Sequence, residues 1–181
     1  HQEARRQRQM CIRDRNQMPQ PVIAKVQGIA TAAGCQLVAA CDLAVAADDS
    51  RFATSGINVG LFCSTPSVPV SRNLGRKQAM ELLLTGHFID AHTALQWGLV
   101  NRVVPASRLD QEVAELAGSI MSKSWVAVAT GKRMFYKQLE LPLESAYDYA
   151  SGVMAGNMMA DDVEEGVDAF MQKRTPVWKH Q

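Results

Sequence analysis

No charge of one sign dominates this chain. Nineteen basic residues against eighteen acidic leave a formal charge of +1 over 181 residues, so no global field draws it to nucleic acid or an anionic membrane. Cysteine and histidine are too scattered for a metal centre. The four cysteines (11, 35, 41 and 63) form no CxxC pair and the four histidines (1, 87, 92 and 180) no HExxH, a usage that fits a reduced, metal-free intracellular protein. Long apolar runs are missing too. The most apolar stretch, Gly28–Ala47, is broken by Gln36 and Asp42 and is too short to span a bilayer. A GxGxxG is also absent, since only Gly28 and Gly34 stand in that region, and with it goes a dinucleotide site. With 20% charged and 47% hydrophobic residues, the chain is not disordered over most of its length. A folded chain of this size buries about 70% of its unfolded surface without a staple.

The opening fifteen residues read differently from the rest. They hold five arginines with Glu3 and Asp14, no serine and no aromatic residue. A transit peptide is poor in acids and rich in serine, and a single-strand-binding arm interleaves aromatics with its charges. Segment 1–16 is therefore read as foreign or frayed sequence, with a targeting arm and a nucleic-acid arm as alternatives.

Order is expected from Pro19. Pro21–Gly28 (PVIAKVQG) is a β-branched run ended by glycine, and small residues from Ile29 to Asp42 lead into a helical pattern. Leu43–Ala47 and Arg51–Ala53 read as two further strands, giving a layered α/β pattern. Beyond Gly75 the period becomes helical. Ala79, Leu82 and Leu83 recur at i, i+3, i+4, and a short helix over Ala91–Trp97 stops at Gly98. A small strand, Asn101–Val104, precedes a capping-box start at Ser107–Asp110. Its helix puts Leu109, Val113, Leu116, Ala117, Ile120 and Met121 on one face. Further helices are expected over Trp125–Leu139, Leu143–Met159 and Asp161–Lys173, the last with acids in its first turn and Lys173 and Arg174 in its last. The division is thus 1–16, an α/β part over 17–106 and a helical part over 107–181.

The chemistry-bearing stretch is Ala30-Thr31-Ala32-Ala33-Gly34, between a buried strand and a helix. Small side chains let a ligand approach the backbone, and the first N–H groups of a helix lack intrahelical partners at its positive end. Together they suit a negative or developing-negative oxygen; close strand–helix packing selects the same residues. Ser64 and Thr65 either donate hydrogen bonds to a ligand or cap the next helix. Cys35 and Cys63 are nucleophiles or small packed residues, and Asp42 is a base or a backbone acceptor. Asp90 and His92 read as a helix start. Lys132, Arg133, Lys137, Lys173 and Arg174 are phosphate candidates or a solvated face. Trp125, Phe135, Tyr136, Tyr147, Tyr149, Phe170 and Trp178 read as core and subunit contacts.

The block PVIAKVQGIATAAGCQLVAACDLAVAADDSRFATSGINVGLFCSTP, followed by FYKQL and AFMQKRTPVW, resembles the enoyl-CoA hydratase/isomerase (crotonase) superfamily from about Pro19 to Trp178. The resemblance implies an α/β superhelix of stacked ββα turns, here expected to be N-terminally truncated, with a C-terminal helical region that builds a homotrimer or hexamer. It implies an acyl-CoA thioester as ligand and no other cofactor, and a mitochondrial matrix location in a eukaryote or the cytoplasm in a bacterium. Two backbone N–H groups in such proteins hold the thioester oxygen as it becomes an enolate. The second donor carries over to Ala33, beside Gly34; the first has no recognisable equivalent before Pro19. Gln36 and Gly56 stand where active hydratases carry their two glutamates. Gly28, Thr31 and Ser64 are substrate-binding candidates, and Lys173 is the candidate for the CoA phosphates. No metal is implied.

Overall fold

A computed structural model describes Arg15 and residues 17–179; the basic segment expected over 1–16 otherwise lies outside the described residues. Two compact units are present, one of Val22–Leu116 and one from Ala117 onward together with residues 17–21.

In the first unit, consecutive strands alternate between two small sheets. Strand β1 (Ile23–Val26) pairs in parallel with β3 (Leu43–Ala47), which pairs in parallel with β6 (Arg102–Val104). The second sheet holds β2 (Ile29–Thr31) parallel to β4 (Arg51–Ala53), with β5 (Ile89–Asp90) antiparallel at the edge. Helix α1 (Ala33–Ala40) carries the chain from β2 back to β3. Each pair of strands therefore contributes one strand to each sheet, and successive ββα turns stack. Strand β3 reads LAVAA because it is the central member of a parallel sheet, and Ala44–Ala47 are all buried.

The strand expected over Pro21–Gly28 is present as β1, and Ile29–Thr31, expected only as part of the lead-in to the helix, forms a further strand in the other sheet. Gly28 adopts φ +74°, a left-handed conformation that a side chain disfavours, and its carbonyl accepts the Arg51 N–H at 2.9 Å. The turn swings Ile29 into the second sheet, where small residues had read only as a lead-in to the helix.

Beyond β4 come a 3-10 turn (Ser55–Val59), α2 (Ser64–Asn73), α3 (Arg76–Thr85) and α4 (Ala91–Trp97). Helix α2 was masked in the sequence by Pro66 and Pro69. Pro66 lies in the first turn, where the missing N–H would have no partner in any case. Val26, Cys35, Val38, Phe52, Val70 and Leu82 form the centre of the core. Three polar links tie its layers, the first two of them buried. Thr54 Oγ1 donates to Leu82 O at 2.7 Å, Ser50 Oγ donates to Val26 O at 3.2 Å, and Asn73 Nδ2 donates to Ala39 O at 2.8 Å.

Helix α5 (Leu109–Met121) spans the division between the units. The capping box expected at Ser107 does not form the start. Ala106–Arg108 is a 3-10 turn running straight into α5, with Pro105 before it, so Ser107 sits inside helical backbone. The second unit continues with α6 (Trp125–Gln138), α7 (Leu143–Asn157) and α8 (Asp161–Met171). Ser124 caps α6 by accepting the Ala127 N–H, and its hydroxyl donates to Asp162 at 2.5 Å. The tail after α8 folds back: Arg174 grips Glu165 through two guanidinium nitrogens, Lys179 N–H donates to Asp162, and Trp178 Nε1–H donates to Ser122 O at 2.8 Å. Lys173 lies beyond the last turn of α8 with φ +54°, and Arg174 answers Glu165, so neither sits in that turn as the charge pattern suggested. Of the aromatic positions expected as core and subunit contacts, Tyr136, Tyr149 and Trp178 are half-buried, while Phe135, Tyr147 and Phe170 are exposed, Phe170 at 81%.

Candidate active site

The start of α1 is shaped by Ala32, whose φ of +48° and ψ of −112° place a residue with a Cβ in a sparsely populated conformation. Such a residue costs of order 1–3 kcal/mol and persists where its surroundings over-determine it. Here β4 does so: the Ala32 N–H donates to Ala53 O at 3.0 Å, while Ala32 O accepts the Gln36 N–H at 3.0 Å. That bond is the first of the helix. The N–H groups of Ala33 and Gly34 precede it, and among the described residues neither has an acceptor. Two adjacent donors at the positive end of a helix, flanked by side chains no larger than a methyl group, can hold a partly negative oxygen.

Gln36 lies in the same first turn. It is buried, at 8% exposure. A helical side chain leans toward the N-terminus and covers the turn before its own Cα, so this amide covers the turn opened by Ala33. An amide both donates and accepts but does not exchange protons near neutral pH.

Gly56 sits in the 3-10 turn, whose end folds back so that Leu61 N–H donates to Gly56 O at 3.0 Å. A Cβ at position 56 would lie 2.7 Å from Leu61 O and 2.8 Å from Cys63 Sγ. The turn is closed around a hydrogen atom. The hydroxyls of Thr31 and Ser55 meet at 2.8 Å, which fastens this turn to the end of β2 next to Ala32. Thr31 is thereby at the site, with hydroxyl capacity left for a further partner.

The remaining candidates fall elsewhere or take structural roles. Gly28 is separated from Ala32 by the three residues of β2, about 10 Å of extended chain, and acts as the switch between sheets. Ser64 is exposed and opens α2 as its first helical residue, after Cys63 at the cap position; its Oγ lies 3.4 Å from Phe62 O. Lys173 is exposed and belongs to the second unit. Asp42 Oδ2 accepts the Val22 N–H at 2.6 Å, joining the residue before β3 to the one before β1. Asp90 caps α4 by accepting the Thr93 N–H at 2.7 Å. Burial, with Cys63 as a lesser neighbour effect, pushes the Cys35 thiol up to about 12, so it is protonated near neutral pH and is no nucleophile. Among the described residues no group of three metal-ligating side chains occurs, and no helix is long and apolar enough to cross a membrane. Ser55 and the strained Ala32 were not singled out from the sequence; an alanine carries no mark of a positive φ, and only the run of small residues around it hints at a backbone-lined site.

The family model for enoyl-CoA hydratase/isomerase matches residues 2–181. The chain belongs to that family. It is 54% identical over 162 residues to enoyl-CoA hydratase domain-containing protein 3, mitochondrial, of Rattus norvegicus, covering 90% of this chain and 54% of that protein. Identity to the Homo sapiens protein of the same name is 53% over 163 residues. The crystal structure of the human domain-containing protein 3 superposes with a TM-score of 0.94 at 49% identity, covering 98% of this chain and 70% of that one. An enoyl-CoA hydratase of Mycobacterium smegmatis superposes with a TM-score of 0.91 at 57% identity, covering 92% and 65%. The stacked ββα turns and helical region are the crotonase fold, as the sequence resemblance implied. The chain spans about half the length of the curated relatives it matches.

Proposed function

We propose that this protein binds an acyl-CoA thioester and holds the thioester oxygen on the backbone N–H of Ala33, with Gly34 beside it, so that an enolate is stabilised without the hydratase pair of acids. The observation that carries this reading is the pair of acceptor-free N–H groups at the start of α1, held by the strained Ala32. One donor of this kind is worth about 2.7–4 kcal/mol of transition-state stabilisation. Gln36 orients water or substrate, and Gly56 contributes no side chain. Each missing acid–base group removes about 10²–10⁴-fold of rate, so ordinary water addition is slow and the chemistry is that of an enoyl-CoA hydratase/isomerase-like protein reduced to its oxyanion site. Thr31 and Ser64 bind substrate, and Lys173 of a neighbouring copy meets the CoA phosphates.

A second reading, a non-catalytic acyl-CoA binder that regulates lipid metabolism, is favoured by Gly56, where the closed turn leaves a carboxylate no place. Turnover of a panel of acyl- and enoyl-CoAs separates the two. Calorimetry with butyryl-CoA against free CoA tests what they share: tighter binding of the thioester supports both readings, and equal binding refutes both.

The helical region is proposed to build a homotrimer or hexamer. Exposed Val167, Phe170 and Met171 on or near α8, with Met154 on α7 and Met158 and Met159 just beyond it, leave apolar surface for a second copy. In a eukaryote the proposed location is the mitochondrial matrix, after the names of the relatives; in a bacterium it is the cytoplasm.

A further inference from the structure

We infer that Ser55 is a positioning residue, whose hydroxyl bond to Thr31 sets the angle at which the Ala33 N–H meets a ligand oxygen. The inference deepens the reading that Ala33 holds a thioester oxygen, and rests on it. The Ala33 N–H shares a peptide plane with Ala32 O, so the donor turns whenever that plane turns. The helix fixes the plane at one end, through the Gln36 N–H on Ala32 O at 3.0 Å. Its tilt against the chain before it is the backbone conformation of Ala32, φ +48° and ψ −112°, which an alanine leaves unless it is held there.

The hold comes from three consecutive residues at the end of β4. Ala53 O accepts the Ala32 N–H at 3.0 Å, which fixes the peptide plane between Thr31 and Ala32 at a single point. Thr54, fully buried, anchors the segment by donating to Leu82 O at 2.7 Å. Ser55 Oγ meets Thr31 Oγ1 at 2.8 Å. In the parallel register Thr31 stands opposite Ala53, so the Ser55 contact comes from further along the chain and crosses the pair diagonally. A bond in that direction resists the rotation that one N–H···O bond permits. Without the Ser55 hydroxyl, the plane between Thr31 and Ala32 turns about the Ala53 bond, Ala32 relaxes, and the Ala33 N–H swings off the ligand. Ser55 lies half-buried in the 3-10 turn beside Gly56 and acts without touching the ligand itself.

Calorimetry with butyryl-CoA and with S-butyl-CoA, a thioether of equal chain length that lacks the carbonyl, isolates the contact. The parent chain is expected to bind the thioester about tenfold tighter than the thioether. Ser55→Ala and Ser55→Val are expected to narrow that ratio to about threefold or less, while Ser55→Thr, matched in shape to the valine but keeping the hydroxyl, holds it near about tenfold. A role confined to stability would lower the melting midpoint and leave the ratio alone. If the parent discriminates and both hydroxyl-free variants discriminate equally well, the role of Ser55 is overturned and the Ala33 reading stands. If the parent does not tell thioester from thioether, both fall. The valine variant carries the comparison should Ser55→Ala fail to fold, and the alanine variant the reverse.

Discussion

Replacing Gly56 by alanine is the sharpest structural perturbation available near the site. The added Cβ would stand 2.7 Å from Leu61 O and 2.8 Å from Cys63 Sγ, well inside contact distance. Leu61 O is main chain, and Leu61 is also the donor to Gly56 O at 3.0 Å, so relief requires the turn itself to open. The turn is pinned at its other end by Ser55 to Thr31 and, just before it, by buried Thr54 to Leu82 O. Overpacking of this kind costs about 1–3 kcal/mol. For a chain of this length each kcal/mol moves the melting midpoint by about 2–4 °C, so Gly56→Ala is expected to melt about 2–12 °C lower. Gly118→Ala serves as the control. Gly118 lies in α5 with open space around it and should gain about 0.5–1 kcal/mol from the better helix former. Circular-dichroism melts of the two variants and the parent decide it. If Gly56→Ala melts within about 1 °C of the parent, the turn is not closed and the case that position 56 excludes a carboxylate fails. The same geometry means that Gly56→Glu disrupts its own loop, so Gln36→Glu alone is the clean variant for restoring a proton-transfer group; it should raise hydration of crotonyl-CoA about 10²-fold or more if only that group limits the rate.

Asn101→Ala removes the acceptor of the Ala44 N–H, 2.7 Å away and buried, and is expected to lose about 1–3 kcal/mol in urea unfolding; an unchanged midpoint would show that the amide finds another partner. Cys35 should resist iodoacetamide at pH 8 in the folded chain and react once unfolded, because its thiol is held protonated far above that pH; rapid native labelling seen by mass spectrometry would contradict this. Glu165, held down to about 2 by Arg174 and then by the Val177 N–H, has its folded value below the unfolded one, so its hold on the tail is full above about pH 4.5 and lost as pH falls through about 2. A carbon-detected titration of Glu165 with its midpoint near 4.5 would refute that pairing.

Much of this arrangement was legible in the residues. LAVAA read as a buried strand, Asp90 as a helix start from its place before Ala91, and the Ala-Thr-Ala-Ala-Gly run as either a backbone-lined site or a close strand–helix contact. What stayed hidden depended on contacts distant in sequence. Gly28 could end a strand or switch it between sheets, and only the pairing of Ile29 with Arg51 decides. Two prolines concealed α2 because a proline in a first turn looks like a breaker when the start of the helix is unknown. The strain at Ala32 depends on Ala53, twenty-one residues away, and the closure at Gly56 on a carbonyl five residues on. The aromatic residues of the helical region read as core and subunit contacts; the exposure of Phe135, Tyr147 and Phe170 shows that an apolar stripe identifies a face without saying what covers it.

The central claim is that main-chain amides at Ala33 and Gly34 polarise a thioester carbonyl. Infrared difference spectroscopy with butyryl-CoA labelled with carbon-13 at the carbonyl measures this directly. The account predicts a carbonyl stretch moved to lower frequency on binding; a bound ligand whose carbonyl stretch stays at its solution frequency would contradict it.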